Sequence, residues 1–356
     1  EYFPVLSLDD SLLLFTRRIL NKDDIYDEDI YISKKDSIFW TEASSLRSIN
    51  SSNNEGAVNL TSDKSTFVFT SCNRREGYGR CDIYFMNSDG EIFNAGPKIN
   101  TKHWESQACF SPDNKYLYFV SDRPGGFGGK DIWMSELTAN GFSSPVNLGS
   151  IINTKRDEMT PFIHFDNQTL YFASNGHPGL GDFDLFLSRR EYPAASWKNP
   201  INLGYPINTL GVENSLIVAS DGKTAYFASD KSGYGQEDIF WFHLPQEMQS
   251  QQVAYLNTKV YDAETKTPMK SSIEIIDLAT GKVMISSFTY TKTGEFFTCL
   301  PANTNYAVNV SKDGYLFHSE NFVLNEQSAL QALKLDIPLQ RLNKGSKIVL
   351  NNIFFD

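Results

Sequence analysis

The sequence predicts an all-β protein with two domains, and three observations lead to this prediction. The chain has 356 residues, which is too long for one ordinary core and suits one large and one small domain. Aromatic residues make up 13% of the chain, an excess of the ring side chains that sheets favour. Five copies of one unit of strands and turns follow one another before residue 245, with no helical periodicity between them.

Each copy opens with an apolar run, a polar turn and a second apolar run; in the third copy the turn and the second run are Ser-Pro-Asp-Asn-Lys-Tyr-Leu-Tyr-Phe-Val-Ser-Asp at 111–122. A loop, rich in glycine in the last four copies, leads to an aspartate and an apolar strand; these aspartates are Asp29, Asp82, Asp131, Asp184 and Asp238. The first four copies end on Ile-Asn-Ser or Ile-Asn-Thr, at 49–51, 99–101, 152–154 and 207–209. Four antiparallel strands in a unit of roughly fifty residues are typical of a blade. Residues 1–245 are therefore predicted to form a five-bladed β-propeller.

The phase of the repeat predicts that this chain is an excerpt of a longer protein. The fifth copy ends with its third strand near Leu244, whereas residue 1 enters directly on a first strand. In a closed propeller, sequence upstream of residue 1 would then supply the missing fourth strand.

The pattern changes after the repeats. Residues 246–252 are polar and lack turn signals, which favours a linker. From 253 to 337, short strands alternate with turn signals at eight to twelve residues, which predicts a β-sandwich of about seven strands. Residues 338–356 are interpreted as a further linker and the truncated start of another domain.

The quoted motifs resemble known families. The repeats resemble the WD40-like repeats of TolB-type periplasmic propellers, through Ser-Pro-Asp at 111–113, Phe-Val-Ser-Asp-Arg at 119–123 and Asp-Ile-Tyr at 82–84. Residues 253–337 resemble a carboxypeptidase-regulatory-like, transthyretin-like domain, through Val-Tyr-Asp-Ala-Glu-Thr at 260–265 and Lys-Asp-Gly-Tyr at 312–315. The end of the chain, from 337, resembles the entry into an OmpA-like peptidoglycan-binding domain. This order is similar to that of PorE-like envelope proteins of the type IX secretion apparatus, and it implies a periplasmic protein associated with the outer membrane.

Composition restricts the partners. The net charge of −11 argues against non-specific binding to nucleic acid, and no apolar run is long enough to span a membrane. Cys72 and Cys81 flank a hairpin tip, where they either form a disulfide or remain ordinary thiols. Cys109 and Cys299 are interpreted as small core residues.

Two sets of candidate binding residues emerge from the aligned copies. An acidic residue recurs at the entry to each first strand, where a ring of carboxylates could attract a cation or a basic peptide at the channel mouth: Glu1, Glu55, Glu105, Glu158 and Glu213. Alternatively, these glutamates accept hydrogen bonds that fix the connections between blades. Aromatic and arginine side chains of the glycine loops form a possible partner-binding rim, although the rings could instead pack on their own blades: Tyr78, Arg80, Arg123, Phe127 and Tyr234.

No motif predicts catalysis, a metal or a cofactor. The histidines are scattered without zinc-ligand spacing, and Gly-Gly-Phe-Gly-Gly-Lys at 125–130 lacks the spacing and context of a phosphate loop. The sequence therefore predicts a non-enzymatic scaffold that binds a protein or peptide of a secretion machine, with a missing OmpA-like domain that grips peptidoglycan. Two alternatives remain open, an enzyme that acts on envelope glycans through carboxylates such as Asp157 and Glu158, and a passive spacer.

Overall fold

The computed structural model describes residues 1–20, 26–37, 39–138, 140–231, 237–325 and 332–342. The regular secondary structure of the described chain is β-strand, apart from one short 3-10 helix at Gln246–Met248, so the prediction of an all-β protein is confirmed. Among these residues, no helix is long and apolar enough to cross a membrane. Two compact units are present, one of residues 1–190 and 196–250, the other of residues 191–195 and 251 onward.

The first unit contains five consecutive antiparallel sheets, none of them closed into a barrel. Sheet 1 comprises β1 (Tyr2–Leu6), β2 (Leu12–Leu20), β3 (Tyr26–Asp36), β4 (Phe39–Trp40) and β5 (Ser44–Ser45). Sheet 2 comprises β6 (Glu55–Leu60), β7 (Thr66–Cys72), β8 (Cys81–Asn87) and β9 (Ile92–Asn94). Sheet 3 comprises β10 (Glu105–Phe110), β11 (Tyr116–Ser121), β12 (Asp131–Thr138), β13 (Gly141–Phe142) and β14 (Val146–Asn147).

Sheet 4 comprises β15 (Glu158–Ile163), β16 (Thr169–Ser174), β17 (Asp184–Arg189) and β18 (Ile201–Asn202). Sheet 5 comprises β19 (Glu213–Val218), β20 (Thr224–Ser229) and β21 (Asp238–His243). No described strand pairs with the outer edge of β21, and Trp241 on this strand is 63% exposed. The sheets thus coincide with the five sequence copies, and the fifth has one strand fewer than the unit predicts.

Apolar clusters join each sheet to the next, which explains why the middle strands are buried on both faces. Tyr118, Phe119 and Val120 are all fully buried, because alternate side chains of β11 enter different clusters. One cluster joins sheets 1 and 2, a second joins sheets 2 and 3, and a third joins sheets 3 and 4. The largest cluster contains side chains of sheets 4, 5 and 1, including Phe15, Tyr171 and Phe227. Fully burying such a side chain contributes roughly 1.5–3 kcal/mol.

A bulge interrupts the same position of every first strand. In each case the register shifts two residues after the repeated glutamate, and a residue other than glycine adopts a positive φ. These five residues are Phe3, Ala57, Gln107, Thr160 and Ser215, with φ between 46° and 58°. The bulge bends the first strand, and the bulge residue and the two residues after it line a shared cavity described below.

The second unit contains two sheets. One consists of β22 (Val253–Asp262), β25 (Glu295–Pro301) and β28 (Leu333–Leu339), with β22 and β28 parallel. The other consists of β23 (Ser272–Asp277), β24 (Lys282–Phe288), β26 (Thr304–Ser311) and β27 (His318–Leu324). A single apolar cluster includes Leu256 and Phe296 of the first sheet and Ile275 and Val308 of the second.

The expected linker at 246–252 is largely attached to sheet 4. The Tyr171 hydroxyl donates to the Met248 carbonyl at 2.9 Å, and the Arg189 guanidinium donates to the carbonyls of Glu247 and Gln249. Residues 246–250 therefore pack on the first unit, although their polar composition favoured a linker.

Candidate functional site

The repeated glutamates lie at the end of the first unit where the strand-2 to strand-3 hairpins and the connections between sheets meet. Glu55, Glu105, Glu158 and Glu213 are fully buried. Glu105 accepts hydrogen bonds from the Thr101 backbone N–H, the Thr101 hydroxyl and the Ser121 hydroxyl, each at 2.8–2.9 Å. The other three accept the equivalent bonds.

These bonds show what the four carboxylates do: each fastens the preceding connection to the second strand of its own sheet. They do not offer a row of oxygens at the surface. Burial raises the pKa of the Glu158 carboxyl, against hydrogen bonds from Thr154 and Ser174 that lower it. Glu1 differs, because its carboxylate is about one-third exposed and pairs with Arg17.

Arg123, predicted to lie on the binding rim, is also engaged inside the fold. Its guanidinium lies 3.2 Å from the Glu105 carboxylate and 4.9 Å from the centre of the Phe119 ring, and its side chain is only 10% exposed. Arg74 makes the equivalent pair with Glu55 at 3.1 Å. Both arginines therefore compensate buried carboxylates.

The central apolar residues of the glycine loops, in contrast, are presented to solvent. Tyr78, Phe127 and Leu180 are 49%, 51% and 49% exposed, and each stands between two glycines. Tyr234 lies outside the described residues. Asp131 accepts hydrogen bonds from the backbone N–H groups of Phe127 and Gly128, and Asp82 and Asp184 do the same in their loops.

The two glycines of each tip are required by close approach. A Cβ on Gly126 would lie 2.0 Å from the Asp131 carboxylate, and a Cβ on Gly128 would lie 2.2 Å from the Arg156 carbonyl oxygen. Gly179 and Gly181 are restricted in the same way, by Asp184 and by the carbonyls of Thr209 and Gly211. Each tip is thus held between its own aspartate and the next connection, with its central side chain directed outward.

We name this end of the first unit the mouth face: hairpin tips 73–80, 122–130 and 175–183, with connections 51–54, 101–104, 154–157 and 209–212. A cavity of about 380 Å³ opens on it between sheets 1, 2 and 3. Its lining includes Glu28, Arg80, Trp104 and Gln107. It also includes the disulfide between Cys72 and Cys81, whose formation the sequence left open.

A second, narrower cavity of about 40 Å³ lies among the first strands. The same three positions of all five first strands line it, namely residues 3–5, 57–59, 107–109, 160–162 and 215–217. Backbone groups of the bulges are bonded across sheets: Thr160 N–H donates to Gln107 Oε1 at 2.9 Å, and Ser215 N–H donates to Thr160 Oγ1 at 3.2 Å.

Sequence reasoning missed Trp104, Gln107 and the cavity that they line. The sequence contained a signal for this cavity. A buried strand is expected to carry an apolar residue two positions after each repeated glutamate, but three of the five copies have a polar residue there: Gln107, Thr160 and Ser215. The described residues hold no cluster of three or more His, Cys, Asp or Glu suited to a metal.

The chain matches no family model, and no curated protein matches it. Among solved structures, it is similar to TolB from Acinetobacter baumannii, at 16% identity and a TM-score of 0.44, over 69% of this chain and 54% of that one. The putative TolB from Agrobacterium tumefaciens is 12% identical over 84% of this chain and 89% of that one, with a TM-score of 0.42. A thermostable family-43 glycoside hydrolase is 14% identical over 68% of this chain and 88% of that one, with a TM-score of 0.47.

The prediction that the chain is not an enzyme is wrong, because it excluded a class of protein that the similar structures include. The similar structures include a glycoside hydrolase beside the TolB proteins, so they do not separate a binding protein from an enzyme. The particular carboxylates named for catalysis are engaged otherwise: Glu158 is fully buried, and Asp157 accepts a hydrogen bond from the Lys130 backbone N–H at 2.8 Å.

Proposed function

We propose that the mouth face binds a partner protein and that the five sheets behind it are the blades of a five-bladed β-propeller. Three observations support the propeller. The apolar clusters lead from sheet 1 through sheet 4 to a cluster shared by sheets 4, 5 and 1. The narrow cavity is lined by all five first strands. Finally, Ser220 of the last repeat donates a hydrogen bond to the Asp10 carboxylate at 3.0 Å.

The observation that carries the binding proposal is the pairing of exposed apolar side chains with rigid loops. Tyr78 and Phe127 expose about half of their surface. The tips are held by charge-assisted hydrogen bonds to Asp82 and Asp131. A partner that covers these rings gains apolar contact, and little conformational entropy is lost on binding because the loops are already ordered. Anchor residues of protein interfaces have this property.

The cellular setting is part of the same proposal. The disulfide between Cys72 and Cys81 suits an oxidising compartment, which favours the periplasm. We propose that the second unit, whose two sheets share one apolar cluster, is a transthyretin-like β-sandwich that acts as a spacer. Association with the outer membrane, peptidoglycan binding by an OmpA-like domain and membership of a secretion apparatus rest on the sequence resemblance to PorE. Residues 343–356, which carry the OmpA-like motif, lie outside the described residues.

Co-purification from envelope extract tests the binding proposal. The wild type is compared with the double variant Tyr78→Ser/Phe127→Ser and with the control Phe93→Ser/Val146→Ser. The control residues lie on outer strands of the same two sheets and are similarly exposed, at 48% and 60%. Proteins recovered with the wild type and the control, but lost with the tip variant, support the mouth face as the binding surface. Equal recovery with both double variants contradicts it, provided that all three proteins melt alike.

A further inference from the structure

We infer that the segment received by the mouth cavity is an extended acidic stretch of the partner protein, with a carboxylate held by Arg80. This inference rests on the proposed function and names the chemistry of the bound segment. It follows from the charge balance of the cavity wall and from the polar side chains that line the cavity.

The cavity wall contains one compensated and one uncompensated charge. Its ionisable residues are Glu28 and Arg80, since both lining cysteines are in the disulfide. Glu28 accepts two hydrogen bonds from the Arg18 guanidinium, at 2.6 and 2.9 Å. Arg80 is exposed, and the described part of the chain places no carboxylate within ion-pair distance of it. The charge left in the wall is therefore positive.

The tip and the connection beside the cavity carry charges of both signs. Arg75 and Lys102, on the neighbouring tip and connection, are also exposed and have no ion pair among the described residues. The carboxylate beside them, Glu76, is 64% exposed, and its nearest described cation, Arg74 at 4.0 Å, already pairs with Glu55 at 3.1 Å. The unpaired guanidinium of Arg80 in the cavity wall attracts a ligand group of the opposite charge, even though the whole chain carries a net charge of −11.

The volume and the polar side chains of the cavity suit a peptide segment. The Gln107 side chain lines both the mouth cavity and the narrow cavity; it accepts the Thr160 N–H through Oε1, and its amide nitrogen has no described partner. Trp104 supplies a ring on the same wall. The volume of about 380 Å³ is that of a small binding cleft. A guanidinium matches the two oxygens of a carboxylate better than it matches a neutral amide.

Fluorescence anisotropy with paired peptide pools tests the inference. Both pools consist of dye-labelled dodecapeptides in which every second position is randomised among Ala, Ser, Leu and Tyr. The remaining six positions are all glutamate in one pool and all glutamine in the other. The whole chain is compared with Arg80→Gln and with Lys34→Gln. Lys34 is an exposed residue of β3, so the control removes the same charge away from the cavity.

We expect the glutamate pool to bind the wild type at least about tenfold more tightly than the glutamine pool, and Arg80→Gln to remove about tenfold of that affinity. Lys34→Gln should change it less than twofold. Three results would overturn the inference: equal binding of the two pools, an equal effect of the two variants, or tighter binding of trigalacturonate, an anionic glycan, than of the glutamate pool. If the inference fails while the tip variant still loses envelope proteins in the co-purification, the proposed function stands without it.

Discussion

The side chain of Asn100 pairs with the backbone of Ile83 as a neighbouring strand would: Oδ1 accepts the Ile83 N–H at 2.9 Å, and Nδ2 donates to the Ile83 carbonyl at 2.8 Å. The Ile-Asn-Thr phrase thereby fastens each connection to the third strand of its sheet. The same pair of bonds recurs at Asn50 with Ile30, Asn153 with Ile132 and Asn208 with Leu185.

Asn100→Ala should destabilise the first unit by about 2 kcal/mol, because it leaves the buried Ile83 N–H without a partner, whereas the Ile83 carbonyl still accepts the Ala95 N–H at 3.0 Å. Asn140→Ala, at an exposed turn position, is the control and should change the free energy of unfolding by less than about 0.5 kcal/mol. All five tryptophans lie before residue 246, so their fluorescence during urea unfolding reports on the first unit alone. A loss no larger than that of the control would show that the asparagine does not hold the connection.

Glu105→Gln should lower the free energy of unfolding by about 3 kcal/mol, because it leaves the Arg123 guanidinium without its buried carboxylate. It also places an amide nitrogen among groups that donate hydrogen bonds, namely Thr101 and Ser121. Glu76→Gln is the matched control, since Glu76 lies on the same face but its side chain is 64% exposed. Similar stability of the two variants would contradict a structural role for the repeated glutamates and would reopen their role as a binding ring.

The Asp10 carboxyl makes the first unit sensitive to pH. Burial raises its pKa to about 6, and the nearby charge of Asp221 adds to this, against the hydrogen bond from Ser220. A carboxyl whose pKa is raised on folding stabilises the fold below its unfolded pKa, and this contribution is lost as the pH rises from about 4 to about 6. Asp10→Asn should therefore be more stable than the wild type at pH 7, by up to about 3 kcal/mol, and the difference should shrink toward pH 4.

Asp9 provides a control of opposite sign for this pH dependence. Burial tends to raise its pKa, but hydrogen bonds from Lys64, Ser7 and Ser11 outweigh burial and lower it to about 2. Its stabilising contribution is present above about pH 4 and is lost as the pH falls toward 2. Asp9→Asn should thus be less stable than the wild type at pH 7. If Asp10→Asn is also less stable at pH 7, the burial of Asp10 between the first and last repeats is contradicted.

The disulfide should stabilise the mouth face because it closes a loop and so restricts the unfolded chain. Cys72 and Cys81 are nine residues apart in sequence, and closing a loop of this length stabilises the folded state by about 2–3 kcal/mol. Cys72→Ser/Cys81→Ser should lose this amount in oxidising buffer and match the wild type in reducing buffer. Cys109→Ala controls for thiol chemistry, because Cys109 is a buried free cysteine. Equal stability of wild type and double variant in oxidising buffer would show that the two thiols are not joined.

The repeat was sufficient to predict the sheets, because spacing and alternation are local properties of the chain. The third strands β12, β17 and β21 begin at the predicted aspartates. Spacing and alternation do not predict contacts between segments that are distant in the sequence. Glu105 is buried because Thr101, Ser121 and Arg123 converge on it, and carboxylates without partners are normally exposed. The cavity at Gln107 depends on a bulge, which alternation alone does not reveal.

Photo-crosslinking in living cells tests the central claim, partner binding by the mouth face, most directly. A photoreactive phenylalanine analogue placed at Tyr78 or at Phe127 should give the same discrete protein adduct, because both side chains stand on rigid tips of one surface. The analogue placed at Phe93 or Val146, exposed on outer strands of the same sheets, should not give that adduct. An adduct at all four positions, or at neither tip, would contradict the account.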